Sequence, residues 1–223
     1  MTPDDYARAR RLLVRRDPVL AALIRKHGAC GLAAAQRSDH FSALVRAITG
    51  QQLSTKAAST IYARLVALMP AGVTPEALAS LTDEQMRAAG MSRQKIAYFR
   101  DLAHKVLNGA LPLDAVDALT DDEVIAALTQ VKGIGRWSAE MFLIFRLHRP
   151  DVLPAGDLGI VNAIQRLYRL RKKPDAKRVL KMGEAWRPYR SVASWYLWQT
   201  LRNEPLAKAA GSPRRSQAKS RAR

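Results

Sequence analysis

The chain has 223 residues, 48% of them apolar, enough to bury a substantial core as one compact domain or two small lobes. Its 37 Lys and Arg against 19 Asp and Glu leave a formal charge of +18, which implies a polyanionic partner, nucleic acid first, although a ribosomal or heparin-type binder fits the charge equally well. The single cysteine, Cys30, excludes an intramolecular disulfide, a four-cysteine zinc site and a cysteine-ligated iron–sulfur cluster, and His27, His40, His104 and His148 have no metal-ligand spacing.

The first residues, Met1-Thr2-Pro3-Asp4-Asp5-Tyr6, lack the basic-then-apolar pattern of a secretory signal, and no apolar run reaches the roughly 18–20 residues that cross a bilayer. An intracellular protein is expected. Apolar residues then recur at helical spacing, as in Phe41, Leu44, Val45 and Ile48, and again in Ile96, Phe99, Ala103 and Val106. The fold class is therefore all-α, with helices expected over 3–14, 18–26, 39–49, 55–69, 75–80, 83–89, 93–107, 121–129, 136–147, 158–171, 175–185 and 189–202 and no strand.

Two of these helix starts carry the same device. Thr82 with Gln85 and Thr120 with Glu123 read as capping boxes, stapled by Leu81 to Met86 and Leu119 to Val124. Each opens a helix-turn-helix unit, the first turning at Gly90-Met91-Ser92 and the second at Val131-Lys132-Gly133-Ile134-Gly135; only the second has paired glycines. A glycine can end a helix in the left-handed conformation, and a second one lets backbone N–H groups come close to a ligand at the start of the next helix, where the dipole favours an anion. Lys132 and Arg136 add charge beside it. The same string also serves as a plain tight turn.

Asp157 follows Pro154-Ala155-Gly156 and precedes the helical run Ile160, Ile164, Leu167, so it stands at a helix N-cap. By itself it is a cap worth about 1 kcal/mol. In a site, a carboxylate so placed stabilises a developing positive charge or orients a water. Trp186, Tyr189, Trp195, Tyr196 and Trp198 crowd the last helices, with Trp137 opening an earlier one. Most tryptophans in helical proteins are core, but in a basic protein several aromatics suit stacking on a flipped base. Beyond Pro205 come Lys208, Arg214, Arg215, Lys219, Arg221 and Arg223 without an acid, and 206–223 is expected to be a basic disordered tail, either attracting phosphate or merely solvated.

The run Val131-Lys132-Gly133-Ile134-Gly135-Arg136-Trp137-Ser138-Ala139, followed by Leu153-Pro154-Ala155-Gly156-Asp157, resembles the helix-hairpin-helix, Gly/Pro-rich loop and catalytic Asp of the DNA glycosylase superfamily. Within it, Arg46-Ala47-Ile48-Thr49-Gly50-Gln51-Gln52-Leu53-Ser54 and Trp186-Arg187-Pro188-Tyr189-Arg190-Ser191 are similar to the DNA-3-methyladenine glycosylase II family, over roughly residues 18–203. The resemblance implies a two-lobed helical domain over 1–205, with a central lobe at about 51–147 and a cleft between the lobes, in a short form without the N-terminal β-lobe of longer members. It implies a monomer acting on double-stranded DNA in the cytoplasm, at the nucleoid. The activity implied is base excision repair, in which an alkylated base such as 3-methyladenine or 7-methylguanine is flipped out and its N-glycosidic bond hydrolysed.

The implied roles follow position by position. Asp157 matches the catalytic aspartate. Trp137 falls where bifunctional relatives have a Schiff-base lysine, which implies a monofunctional enzyme using water. Trp137, Met141 and Trp198 match the base pocket, with Met141 replacing an aromatic of some members. Gln52, or else Leu53, matches the wedge that fills the vacated stack, with Ser54 beside it as a DNA contact. Lys132, in place of the usual proline, joins Gly133, Gly135 and Arg136 in holding phosphate. The backbone carbonyls of Thr129, Val131 and Ile134 match a monovalent cation site for Na or K; no other cofactor is implied. Two alternatives stay open: a glycosylase for another damaged or mismatched base, and a non-catalytic DNA-binding module in which Asp157 is only a cap.

Overall fold

Short polar side chains start nearly every helix of the computed structural model, which describes residues 1–34 and 39–202. The tail expected over 206–223 lies outside the described residues. The α-helices are α1 (Pro3–Arg16), α2 (Pro18–His27), α3 (His40–Gly50), α4 (Thr55–Ala67), α5 (Pro75–Ser80), α6 (Asp83–Ala88), α7 (Arg93–Leu107), α8 (Asp121–Thr129), α9 (Arg136–Phe145), α10 (Leu158–Leu167), α11 (Ala176–Gly183) and α12 (Arg190–Arg202). Single 3₁₀ segments at Gly31–Ala34, Leu113–Ala118 and Glu184–Trp186 were not expected from the pattern, and no strand occurs among the described residues.

From α1 to α11 each helix but one opens on a Ser, Thr or Asp whose side chain accepts a backbone N–H of the first turn; both expected capping boxes form, at Thr82/Gln85 and Thr120/Glu123. The exception is α9, which opens on Gly135 with no side-chain cap. Because these polar signals are local, every start falls within one residue of its expected position. Ends are less legible. α10 was expected to reach 171, but Arg169 turns left-handed at φ 52 and the Leu170 N–H returns to the Gln165 carbonyl at 2.9 Å, folding Leu170 back.

Two groups of helices form around one continuous core. α3 packs on α4, α7 and α9; α7 also takes α5 and α6, and α8 takes α9. In the other group α12 packs on α1, α2 and α10. Asp17 joins the ends of the chain: its Oδ1 caps α2, and its Oδ2 accepts the Tyr168 hydroxyl and, at 2.8 Å, the Trp186 indole N–H. The segment leading to Asp157 is pinned to the start of α12. Arg190 donates to Asp151 Oδ1 at 2.8 Å and to the Asp151 carbonyl at 2.7 Å, while the Ser191 hydroxyl donates to the Arg149 carbonyl at 2.6 Å and accepts the Val152 N–H at 3.0 Å. Trp186 is fully buried. The string Trp186 to Ser191 is thus a structural clamp, and its tryptophan is core while Tyr189 is half-buried.

Candidate active site

The Pro154–Asp157 turn closes with the Asp157 N–H on the Pro154 carbonyl at 2.9 Å, which sets Asp157 at the mouth of α10. Its carboxylate accepts three hydrogen bonds. The Ile160 N–H and the Trp198 indole N–H reach Oδ1 at 2.8 and 2.9 Å, and the Trp137 indole N–H reaches Oδ2 at 2.7 Å. Two indoles and a helix N-terminus therefore surround one carboxylate with positive ends of dipoles. Gly159 makes room for it: a Cβ there would stand 2.9 Å from Asp157 Oδ1 and 2.6 Å from Leu201 Cδ1.

A cleft of about 690 Å³ opens between α3 and α9, with Ala43, Ala47 and Gln52 on one side and Trp137, Met141 and Phe145 on the other. Trp137 is 52% exposed, so its ring is a free wall while its N–H is engaged. Trp198 is not on the cleft wall itself; it backs the site, stacked on Phe145 with ring centroids 5.6 Å apart and planes at 24°. The sequence reading missed Phe145, although Trp137, Met141 and Phe145 fall at successive four-residue steps on one helix face. Of the late aromatics, Tyr196 is fully buried and Trp195 packs edge-on against it at 4.9 Å. Tyr196 is core and Trp195 lies half-buried against it, and only Trp198 of that group reaches Asp157.

Two arginines, Arg46 and Arg146, also line the cleft, and Arg46 lies over the Tyr62 ring at 5.2 Å. A second carboxylate, Glu140, is buried close by and accepts from Arg136 Nε at 3.1 Å. Burial pushes Glu140 above the usual carboxylate range; Arg136 pulls it down and the nearby Asp157 adds to the rise.

The Gln51–Leu53 corner forms the rim. Gln52 is held left-handed at φ 59, uncommon for a residue with a side chain, and Leu53 is 40% exposed beside it. Lys95 of α7 braces the corner from below, donating to the carbonyls of Thr49 at 2.7 Å and Gln51 at 2.9 Å, and Gln51 Nε2 donates to the Gly133 carbonyl at 2.8 Å. The Ser54 hydroxyl is spent on the Ala57 N–H as the cap of α4.

In the second hairpin the glycines differ. Gly133 has φ 82, and a Cβ would come within 2.2 Å of the Tyr98 ring; Gly135 has nothing within 4 Å. The Lys132 N–H is taken by Asp101 Oδ2 at 2.8 Å, leaving its side chain exposed. Among the described residues the N–H groups of Gly133 and Gly135 have no acceptor, and those of Gly135 and the first turn of α9 face solvent beside exposed Arg136. The Val131 carbonyl accepts the Ile134 N–H at 3.0 Å, whereas the Thr129 and Ile134 carbonyls accept none among the described residues.

The family described as HhH-GPD superfamily base excision DNA repair protein matches residues 45–188. The chain is 42% identical over 168 residues to DNA-3-methyladenine glycosylase 1 of Schizosaccharomyces pombe, covering 74% of each chain. The solved structure of S. pombe 3-methyladenine DNA glycosylase (Mag1) in complex with abasic DNA superposes with a TM-score of 0.77 at 38% identity, over 87% of this chain and 97% of that one. DNA-3-methyladenine glycosidase from Bacillus halodurans gives 0.76 at 39% identity, over 85% and 87%.

Proposed function

This chain belongs to the HhH-GPD superfamily, in the DNA-3-methyladenine glycosylase family, and from that premise we propose that it hydrolyses the N-glycosidic bond of alkylated bases in duplex DNA. The observation that carries the reading is the Asp157 carboxylate, held by three N–H donors at the edge of an aromatic-walled cleft.

Alkylation at a ring nitrogen such as N3 of adenine or N7 of guanine leaves a cationic base, which departs without a general acid. Positive charge then develops on the sugar. Asp157 faces it with Oδ2, the oxygen with one bond instead of two, and orients the water that attacks. Trp137, Met141 and Phe145 receive the base, and each good cation–π contact favours the charged form by about 0.5–2 kcal/mol. Gln52, already fixed in its turn, fills the gap left in the stack, with Leu53 and Ser54 against the duplex. Open N–H groups at Gly133 and Gly135, with Lys132 and Arg136, hold a phosphate.

A sodium or potassium ion fits the hairpin carbonyls of Thr129, Val131 and Ile134, two of which lack hydrogen-bond donors. When bound it would supply positive charge toward the same phosphate. We take residues 1–205 as one domain whose cleft lies between α9 of a central lobe at about 51–147 and α3 of the other lobe, acting as a monomer on genomic DNA in the cytoplasm; no helix among the described residues is long and apolar enough to cross a membrane.

Incubation with methylated duplex DNA and chromatography of the released bases tests it. Free 3-methyladenine or 7-methylguanine and an intact abasic strand are expected, with nothing trapped by borohydride because Trp137 stands in the lysine position. Asp157→Asn should lower the single-turnover rate by at least about a hundredfold with affinity within a few fold. DNA binding without release of any base would leave a non-catalytic module, and a trapped adduct would remove the hydrolytic assignment.

A further inference from the structure

The excess positive charge is not centred on the hairpin. Between Leu81 and Gln130, the span leading through the first hairpin into the second, there are five Lys or Arg and eight acids; between Arg166 and Arg202 there are eleven and two. Within that basic span Arg187 and Arg190 turn onto Asp151, and Arg166 donates to the Thr200 carbonyl. Arg169, Arg171, Lys172, Lys173 and Lys177 are all exposed and form no ion pair among the described residues.

These five sit on the loop leaving α10 and the first turn of α11. Asp157 caps the opposite end of α10, so the helix of 10 residues, about 15 Å long, separates them from the carboxylate. The end of α1 lies beside the patch, because its cap residue Asp17 holds the Tyr168 hydroxyl one residue before Arg169. The C-terminal ends of α1 and α10 thus converge where the cations gather, and their carbonyl dipoles favour them.

We infer that this patch is a second phosphate-binding surface, which takes a segment of duplex DNA other than the one whose base lies in the cleft. Its chemistry is that of phosphate alone. Closely spaced cations suit a duplex with one charge per about 1.7 Å, and the aromatics at Asp17 offer no platform for stacking unpaired bases: Trp186 is fully buried and Tyr168 has its hydroxyl turned inward. A protein holding one segment can then engage a second before letting go, which moves it between segments without a free intermediate. The inference rests on the cleft and hairpin being the face that holds the lesion.

The test is displacement from a short labelled lesion duplex by unlabelled duplex, comparing wild type with the quadruple variant Arg171→Gln, Lys172→Gln, Lys173→Gln, Lys177→Gln. In the wild type the dissociation rate rises with competitor concentration. In the variant that slope falls about tenfold, while dissociation without competitor and single-turnover excision stay within about twofold. A wild-type rate independent of competitor overturns the inference. So does weaker binding of the variant to the short lesion duplex, which would place the patch on the lesion face, or weaker binding to long duplex alone with displacement unchanged, which would make it a flanking contact. Displacement is read from binding only, so a wild type that released no base would sink the glycosylase reading without altering this result.

Discussion

Gly159 lies two residues after Asp157, and what it omits is as informative as what the aspartate provides. A methyl group at this position would meet Asp157 Oδ1 at 2.9 Å and Leu201 Cδ1 at 2.6 Å. Leu201 can swing aside, but the carboxylate is tethered by two indoles and an amide. In Gly159→Ala the gain in helix propensity, about 1 kcal/mol, offsets the steric cost, so thermal stability should change little. Excision should instead slow by about 10–100-fold, because a small displacement of a positioned group is costly. A single-turnover rate within threefold of wild type would show that the carboxylate does not need its present placement. Such roles are hard to read in advance. The pair Gly133 and Gly135 was visible in the sequence, but their division of labour depends on the Tyr98 ring, which lies far back in the chain on α7.

Among whole elements, the helix starts separate the two hairpins. Ser92 caps α7 with its own hydroxyl, whereas α9 begins at an uncapped, open glycine. Both hairpins were legible as capping-box repeats, and the paired glycines singled out the second; the open helix end adds the physical reason. Gly135→Ser should therefore act in opposite directions. The new hydroxyl caps α9 as in the other helices and adds a few tenths of a kcal/mol, about 0.3, to stability. On the proposed role of the hairpin, the same bond occupies an N–H offered to phosphate and fills space that the backbone of DNA would enter, so affinity for damaged and undamaged duplex alike should fall about tenfold. Normal binding by a more stable variant would remove the hairpin from the interface.

The rim corner is built by three elements, and Lys95 is its brace, an interaction no local pattern announces. Lys95→Met keeps the stem and deletes both bonds to the carbonyls of Thr49 and Gln51. If its work is to position Gln52, the variant should lose about tenfold in excision from a stable pair and much less from a mispair, where unstacking is already cheap. In a Gln52→Ala background the same change should then cost little, a coupling of about 1 kcal/mol. Equal losses in both backgrounds would make Lys95 a general support of α3.

For the molecule as a whole, helical class and element order were legible because periodicity and capping are local, whereas the assembly of the site was not. The family match spans 45–188, yet the second indole on Asp157, Trp198, comes from α12, and α10 is anchored through Tyr168 to Asp17 near the start of the chain. The Asp17 bond to Trp186 joins residues 169 positions apart, and sequence periodicity says nothing at that range. This gives a test of whether the two helical groups stand or fall together. Asp17→Ala removes the cap of α2 and leaves the Trp186 indole N–H and the Tyr168 hydroxyl without their acceptor, which together should cost about 3–5 kcal/mol. For a chain of this size that lowers the melting temperature by about 10 °C. Because Tyr168 is at the far end of α10 from Asp157, the rate measured well below the transition should stay within about threefold of wild type. One cooperative transition, shifted as a whole, is expected by calorimetry. Two separated transitions, with only one shifted, would mean that the core shared by both groups does not couple them, and that the cleft is held from one side alone.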